Sequence, residues 1–328
     1  MWQHSRKFAI LITLMGSSLA WAEPRSAQAK ASLWQQPADI DSRDLIYGAG
    51  GKAHAPNDTT FAFVKEDLSG SKPKFVVVDK DGVRWKVKLG NEARSETVST
   101  RFVWAVGYYT DEDYFLPYAR IQNMPATVHR GRQYVAPDGS VRNVRLERMH
   151  REKGDMWRWR KNPFSDTAEL NGLRVLMALL HNWDVKDQNN AIYEVTGADG
   201  PSRIYVVSDL GATFGATKYS WPNAPVRGNP HKYKHSKFIR YTAPDYVDFV
   251  APDTPVLLGF MLVPDVLVRR LWIGKHIPRD HAKWIGQWLA RLSPTQIRDA
   301  FRSAQYPSED VEAFSRVVES RIAQLNDL

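Results

Sequence analysis

Apolar and polar side chains alternate with a period of two in three consecutive stretches of the chain: 59–65 (TTFAFVK), 74–79 (KFVVVD) and 83–90 (VRWKVKLG). Each reads as a β-strand, with EDLSGSKP as the turn before the second and Lys80-Asp81-Gly82 as a hairpin turn before the third. Over 91–107 the period lengthens to that of a helix: Val98, Phe102 and Ala105 form an apolar stripe, and Glu92 and Glu96 sit one turn apart on a neighbouring face. The residues DEDYFLPY, within 111–124, suit a further strand.

Later in the chain Asp166 and Glu169 have capping-box spacing ahead of a helix whose buried face is Leu170, Leu173, Met177 and Leu180 and which runs to Trp183. AIYEV and RIYVVSD read as two strands around a hairpin at 197–201, and 211–240 as a long irregular segment rich in Gly, Pro and basic residues. Helical spacing returns over 280–292, 294–304 and 308–325, punctuated by Ser293-Pro294 and Pro307, with Trp284, Trp288 and Leu292 on one core-facing stripe. The pattern predicts an α+β protein, strand-rich first and mainly helical afterwards.

Composition narrows this reading. With 43% hydrophobic and 12% aromatic residues in 328, the chain can bury a large core as one bilobal domain or two small ones. The absence of cysteine excludes disulfides and thiolate-metal sites. Residues 1–22 combine Arg6 and Lys7, an apolar run and Ala20-Trp21-Ala22, the pattern of a secretory signal peptide cleaved before Glu23. A periplasmic or secreted protein is expected. The apolar run is shorter than the ~20 residues of a spanning helix. The stretch 255–268 is broken by Pro264 and Asp265, so no transmembrane segment is expected in the mature chain. Residues 23–44 are aperiodic and read as a flexible lead-in. Loss of Arg6 and Lys7 would lower the net charge from +9 to +7. Ten Lys or Arg against four acids fall between His129 and Lys161, around a Pro137-Asp138-Gly139 turn. This predicts a basic hairpin or hinge insertion at 123–161, which either meets an anionic partner or is a solvated face. His231 and His235 lack a third ligand and carry no metal expectation.

The candidate chemistry lies in two short runs. DVKDQN at 184–189 sets Lys186 two residues and Asn189 five residues after Asp184, and SDLG at 208–211 adds Asp209. Phosphoryl transfer needs one carboxylate to orient the acceptor hydroxyl and oxygen ligands to hold magnesium against the donor phosphates, and this is the spacing of a kinase catalytic loop. On the third strand Lys86 and Lys88 share a face, so either would reach donor phosphates and pair with a glutamate of 91–107.

These residues resemble the HipA-type serine/threonine kinases. SGSKPKFVVVD at 69–79 is similar to their phosphate-loop strand, VKLG with Lys88 to their nucleotide lysine, and SETVSTRFVWAVGY, with Glu96, Arg101 and Gly107, to their glutamate helix. DVKDQN and SDLG resemble the catalytic loop and metal aspartate shared with phosphatidylinositol kinases and secretory-pathway kinases. The resemblance implies a bilobal protein-kinase-like fold: a small antiparallel β lobe with one helix over 45–122, then a mainly α-helical large lobe over 162–328. It implies ATP and Mg2+ as cofactors and a protein or small-molecule hydroxyl as acceptor. Asp184 would be the base with Lys186 beside it, Ser69, Gly70 and Ser71 the phosphate loop, Lys88 and Glu96 the phosphate-lysine pair, and Asn189 and Asp209 the magnesium ligands, with Asn190 as the alternative to Asn189. Three departures stand out: Ser69 directly precedes Gly70, Lys186 stands where HipA-type and lipid kinases often carry histidine, and Leu210 stands where many kinases carry phenylalanine. Because ATP does not cross bilayers unaided, an exported chain also fits a pseudokinase serving as a binding or scaffold module, or a polyanion-binding protein.

Overall fold

The computed structural model describes residues 30–69, 72–90, 92–149, 154–182, 184–197, 200–215, 228–250 and 272–328. Gly70, Ser71, Trp183, the signal-peptide pattern and the 255–268 run lie outside the described residues. The fold is mixed α+β, with two three-stranded sheets, one closed barrel and six helices among the described residues. No helix among them is long and apolar enough to cross a membrane.

Five strands close the barrel in the order β2-β3-β4-β6-β5: β2 (Thr60–Asp67), β3 (Lys74–Val78), β4 (Arg84–Leu89), β5 (Asp113–Gln122) and β6 (Ser140–Arg148). The alternation read from sequence decides which side chains fill it. Phe75, Val77, Trp85, Val87, Leu89, Val144 and Leu146 point inward and form its core, while Lys86 and Lys88 point out the other way. The expected antiparallel start is present, but β2 also runs parallel to β5, pairing Thr60 with Arg120, and this closes the sheet and removes its free edges. The first helix, α1 (Ala93–Ala105), packs against β5 and β6.

A second core joins α1 to the helices that follow: α2 (Ala168–Leu179), α4 (Arg279–Ala290), α5 (Pro294–Arg302) and α6 (Ser308–Asn326). Two strands, β7 (Asn190–Gly197) and β8 (Gly200–Val207), form the hairpin expected from AIYEV and RIYVVSD. The short α3 (Pro230–His235) and the strands β9 (Ile239–Thr242), β10 (Tyr246–Phe249) and β11 (Ile277–Pro278) complete the described part, so 228–240 is more regular than its Gly/Pro content implied.

Three expectations are corrected. From Lys30 onward the lead-in is not flexible: β1 (Lys30–Ser32) runs parallel to β8, and Leu33 and Ile40 are buried, each contributing about 1.5–3 kcal/mol. Trp34 donates its indole N–H to Val106 O (2.6 Å) and packs on Trp284 and Trp288. Next, 140–148 is no hinge insertion but strand β6, bonded to both β4 and β5. Finally, Thr167 rather than Asp166 caps α2, accepting from Leu170 N; Asp166 sits one residue earlier at φ +63°.

Candidate active site

Strand register brings the charged residues together. Across β3, β4 and β6, Lys74 faces Lys88 and Lys88 faces Arg145, while Lys86 faces Glu147. Because the pleat returns to the same side every second residue, these side chains share the face opposite the barrel core. They form one wall of a cleft of about 320 Å³, whose other walls include Ser69, Glu96, Asn189, Tyr193 and Asp209.

The wall is an alternating chain of charges. Lys86 Nζ lies 2.5 Å from Glu147, and Glu147 accepts from Arg145 (2.7 Å). Arg145 also binds Asp113 (3.0 Å) and Glu96 (3.1 Å), and Glu96 accepts from Lys88 (2.8 Å). Lys88 reaches Glu92 (2.8 Å) and, across the cleft, Asp209 (2.5 Å). The carboxylates of Glu92, Glu96 and Asp209 come within 4.8 Å of one another, close enough to hold a metal ion. The three N–H donors of the Lys88 ammonium already meet those three carboxylates and supply the compensating charge.

Buried charges persist when paired or fully hydrogen-bonded, and here the proton affinities follow the pairing. Burial works against the charged form of Lys88, but Glu96, Asp209 and Glu92 outweigh it and raise its pKa well above the ordinary value. Burial would raise Glu147, yet the Lys86 and Arg145 cations hold it at about 2. Burial, reinforced by Glu147, pushes Asp111 up to about 7. Asp209 is held well below the ordinary range because Lys88 overcomes its burial; its side chain is nevertheless 41% exposed in the cleft, so water screens part of that field.

The SDLG segment is docked on α1. Gly211 passes so close to Glu92 that a Cβ would lie 2.7 Å from the glutamate's own Cβ, and its carbonyl accepts from Ser95 Oγ (2.6 Å). Ser99 and Thr213 hydroxyls meet at 2.8 Å, both fully buried. Asp209 itself holds φ +54°, a left-handed conformation that a non-glycine residue keeps only under surrounding constraint.

The 184–189 loop is braced differently. The Asp184 carbonyl accepts from Asn189 Nδ2 (2.9 Å) and from Lys186 N (3.0 Å), and Asp184 N donates to Asn182 Oδ1 (2.9 Å). Lys186 Nζ lies 2.7 Å from Asp184 Oδ1. Asn190 is buried and donates to Trp157 O, away from the cleft, whereas Asn189 lines it. Among the residues proposed from sequence, then, Ser69, Lys88, Glu96, Asn189 and Asp209 line one cleft. Asp184 and Lys186 are not among its walls but are tied to it through Asn189. Of the two lysines, Lys86 pairs with Glu147 and only Lys88 meets Glu96.

Sequence reading missed Arg145, Glu147 and Asp113 as members of this site. Arg145 belongs to the basic segment expected either to meet an anionic partner or to be a solvated face; at 3% exposure and surrounded by carboxylates it does neither. The Arg145-x-Glu147 alternation on a strand repeats the Lys86-x-Lys88 alternation, and that was the available signal. A cavity larger than this cleft lies elsewhere, between α3 and α6.

No protein-family model matches the chain, and no curated protein matches it. Among solved structures it is similar to a Helicobacter pylori proinflammatory kinase, CtkA: 12% identity, a TM-score of 0.42, and coverage of 82% of this chain and 97% of that one. The functional reading rests on the side chains and their placement.

Proposed function

We propose that this chain is a kinase-like phosphotransferase that moves a phosphoryl group from a nucleotide to a protein or small-molecule hydroxyl. The observation that carries the reading is the Lys88 ammonium, fixed by Glu96 of α1 on one side and Asp209 on the other, in a cleft that also contains Asn189. In this reading Lys88 binds the donor phosphates, and Glu96 and Arg145 fix its position. Asp209 and Asn189 present a carboxylate and an amide, an oxygen donor set suited to a hard divalent cation; the Asn189 Nδ2 is spent on the Asp184 carbonyl, which leaves the amide oxygen as its ligand atom. Mg2+ bound there would neutralise charge between the donor phosphates. Asp184 orients the acceptor hydroxyl and takes its proton as the new O–P bond forms and the donor's bridging O–P bond breaks, releasing nucleoside diphosphate. Lys186 balances the Asp184 charge.

Calorimetry with ATP and magnesium, run beside phosphate transfer to the chain itself and to host extract, tests this. Asp209→Ala is expected to lose both metal-dependent nucleotide binding and turnover, and Lys88→Ala to weaken binding without abolishing metal dependence. Absence of binding by any nucleotide sinks the reading. The rival, a secreted pseudokinase, draws on the direct Lys88–Asp209 pair, which occupies one Asp209 oxygen; nucleotide binding without transfer favours it. We read the chain as exported and cleaved before Glu23, and intact-mass analysis from the native host checks that cleavage.

A further inference from the structure

The cavity between α3 and α6, of about 550 Å³, differs in kind from the cleft. Its walls include Lys234, Lys237, Arg316 and Arg321 and no acidic residue. Lys234, Lys237 and Arg316 are exposed, and among the described residues none of the three has a carboxylate within ion-pair distance. The two acids one turn from Arg316 along α6, Glu312 and Glu319, are both held by Arg298, at 2.8–3.0 Å, and Glu312 feels the Arg316 charge only at a distance. Arg321 is 2% exposed, and its recorded partners are uncharged: Leu179 O, Tyr233 O, Ser236 O and Ser236 Oγ. Its charge is felt nearby, where burial and then Arg321 lower the pKa of His181 to about 4. Apart from Ser236, Ser320 and Gln324 the remaining lining is apolar: Phe238 lies under the Arg321 guanidinium at 5.3 Å, and Val317 packs against the large core.

Among the described residues, a buried guanidinium with three exposed cations around it, none of them ion-paired, and no acid in the walls makes a strongly positive field. In the cleft Lys86, Lys88 and Arg145 each meet a carboxylate; here, among the described residues, none of the four cations does, and a bound anion would supply the counter-charge. A phosphate dianion suits more than one cation at once, and the Arg316 fork matches its oxygens. We propose that this pocket binds the phosphate group of an amphipathic phosphate ester, whose apolar part lies on Phe238 and Val317. Lys234, Lys237 and Arg316 contact the phosphate; Arg321, with its donors spent on backbone and hydroxyl oxygens, contributes charge alone. A soluble phosphate ester and a lipid headgroup share this chemistry.

The full chain is titrated at low salt with phenyl phosphate and with inorganic phosphate, and sedimented with phosphatidylcholine vesicles with and without phosphatidic acid. Phenyl phosphate is expected to bind more tightly than inorganic phosphate. Lys234→Glu combined with Arg316→Glu, both at exposed positions, is expected to weaken binding at least about tenfold, while Asp209→Asn in the cleft leaves it unchanged. Vesicle binding that needs phosphatidic acid and falls in the same double variant assigns the site to a lipid headgroup; phenyl phosphate binding alone assigns it to a soluble ester. Binding by neither probe, binding indifferent to the double variant at unchanged melting temperature, or equal affinity for inorganic and phenyl phosphate overturns the proposal. Loss of nucleotide binding in the cleft would leave it standing, so its failure and that of the phosphotransferase reading are separable.

Discussion

The two walls of the cleft are built on different physics. The barrel wall is held by side chain against side chain: Arg145, at 3% exposure, binds Asp113, Glu96 and Glu147, and Lys88 binds Glu92, Glu96 and Asp209. The loop wall, which Gln188 and Asn189 line while Asp184 and Lys186 brace it from outside the lining, is held by side chain and backbone, with the Asp184 carbonyl accepting from Asn189 and a Lys186 that stays 39% exposed. A buried charge network is costly to break at one point, because the abandoned partners have no water to turn to. A loop braced through its backbone leaves its carboxylate free to change partner. Function can therefore be altered without altering the fold on the loop side.

The severest way to break the contrast is Arg145→Met. It leaves Glu96, Asp113 and Glu147 buried with one shared cation fewer, and is expected to cost about 3–5 kcal/mol of stability, read by urea denaturation with matched m-values. A cost below 1 kcal/mol would show that the barrel wall is no more committed than the loop. Asp184→Asn is the opposite case. It changes a group whose side-chain partner is an exposed lysine, so stability should shift by less than about 1 kcal/mol while turnover falls by about 10²–10⁴. Nucleotide affinity by calorimetry should be nearly unchanged, since Asp184 is not among the cleft walls.

How much of this was legible in the sequence follows the same division. The loop wall could be read directly, because 184–189 is local: spacing alone places Asp184, Lys186 and Asn189, and the structure separates Asn189 from Asn190 only by turning the latter onto Trp157. The barrel core was equally plain, since Trp85, Val87 and Leu89 alternate with Lys86 and Lys88. Arg145 was illegible as a site residue. A buried arginine and a solvated one have the same composition around them in a basic hairpin, and only the β4–β6 register, 57 residues apart at Lys88 and Arg145, tells them apart. Strand β1 escaped for a related reason: three residues carry no measurable period, and their partner, β8, is about 170 residues away. The α2 cap was misplaced by one residue because Asp166, a good cap by type, takes a left-handed backbone and passes the role to Thr167.

Acid titration perturbs the barrel wall by a smaller amount. Burial tends to raise Glu147, but Lys86 and Arg145 hold its folded pKa at about 2, below the ordinary 4.5. The folded state therefore binds fewer protons than the unfolded one between those values, and the Glu147 contribution is complete above about pH 4.5 and lost as pH falls toward 2. Glu147→Gln is expected to cost about 1–3 kcal/mol at pH 7, and the difference from the parent chain should shrink as the pH is lowered through that window. A difference that stays constant from pH 7 to pH 3 would mean the carboxylate is not engaged by its two cations.

Lys186→Ala carries the smallest expected effect and bears on the loop wall alone. Its ammonium lies 2.7 Å from Asp184 Oδ1, but at 39% exposure the pair works in a high effective dielectric and pays side-chain entropy, so its contribution to stability is about 0–1 kcal/mol. The melting temperature should barely move. Turnover should fall by less than in Asp184→Asn, because the base remains in place, held by its backbone bonds to Asn182 and Asn189, and only the neighbouring charge is gone. Restoring a cation with Lys186→Arg should recover most of the loss if charge balance at Asp184 is the role of this side chain. A drop as large as that of Asp184→Asn, with no recovery in Lys186→Arg, would instead make Lys186 a direct contact of the transferred phosphoryl group and move it from the loop wall into the chemistry.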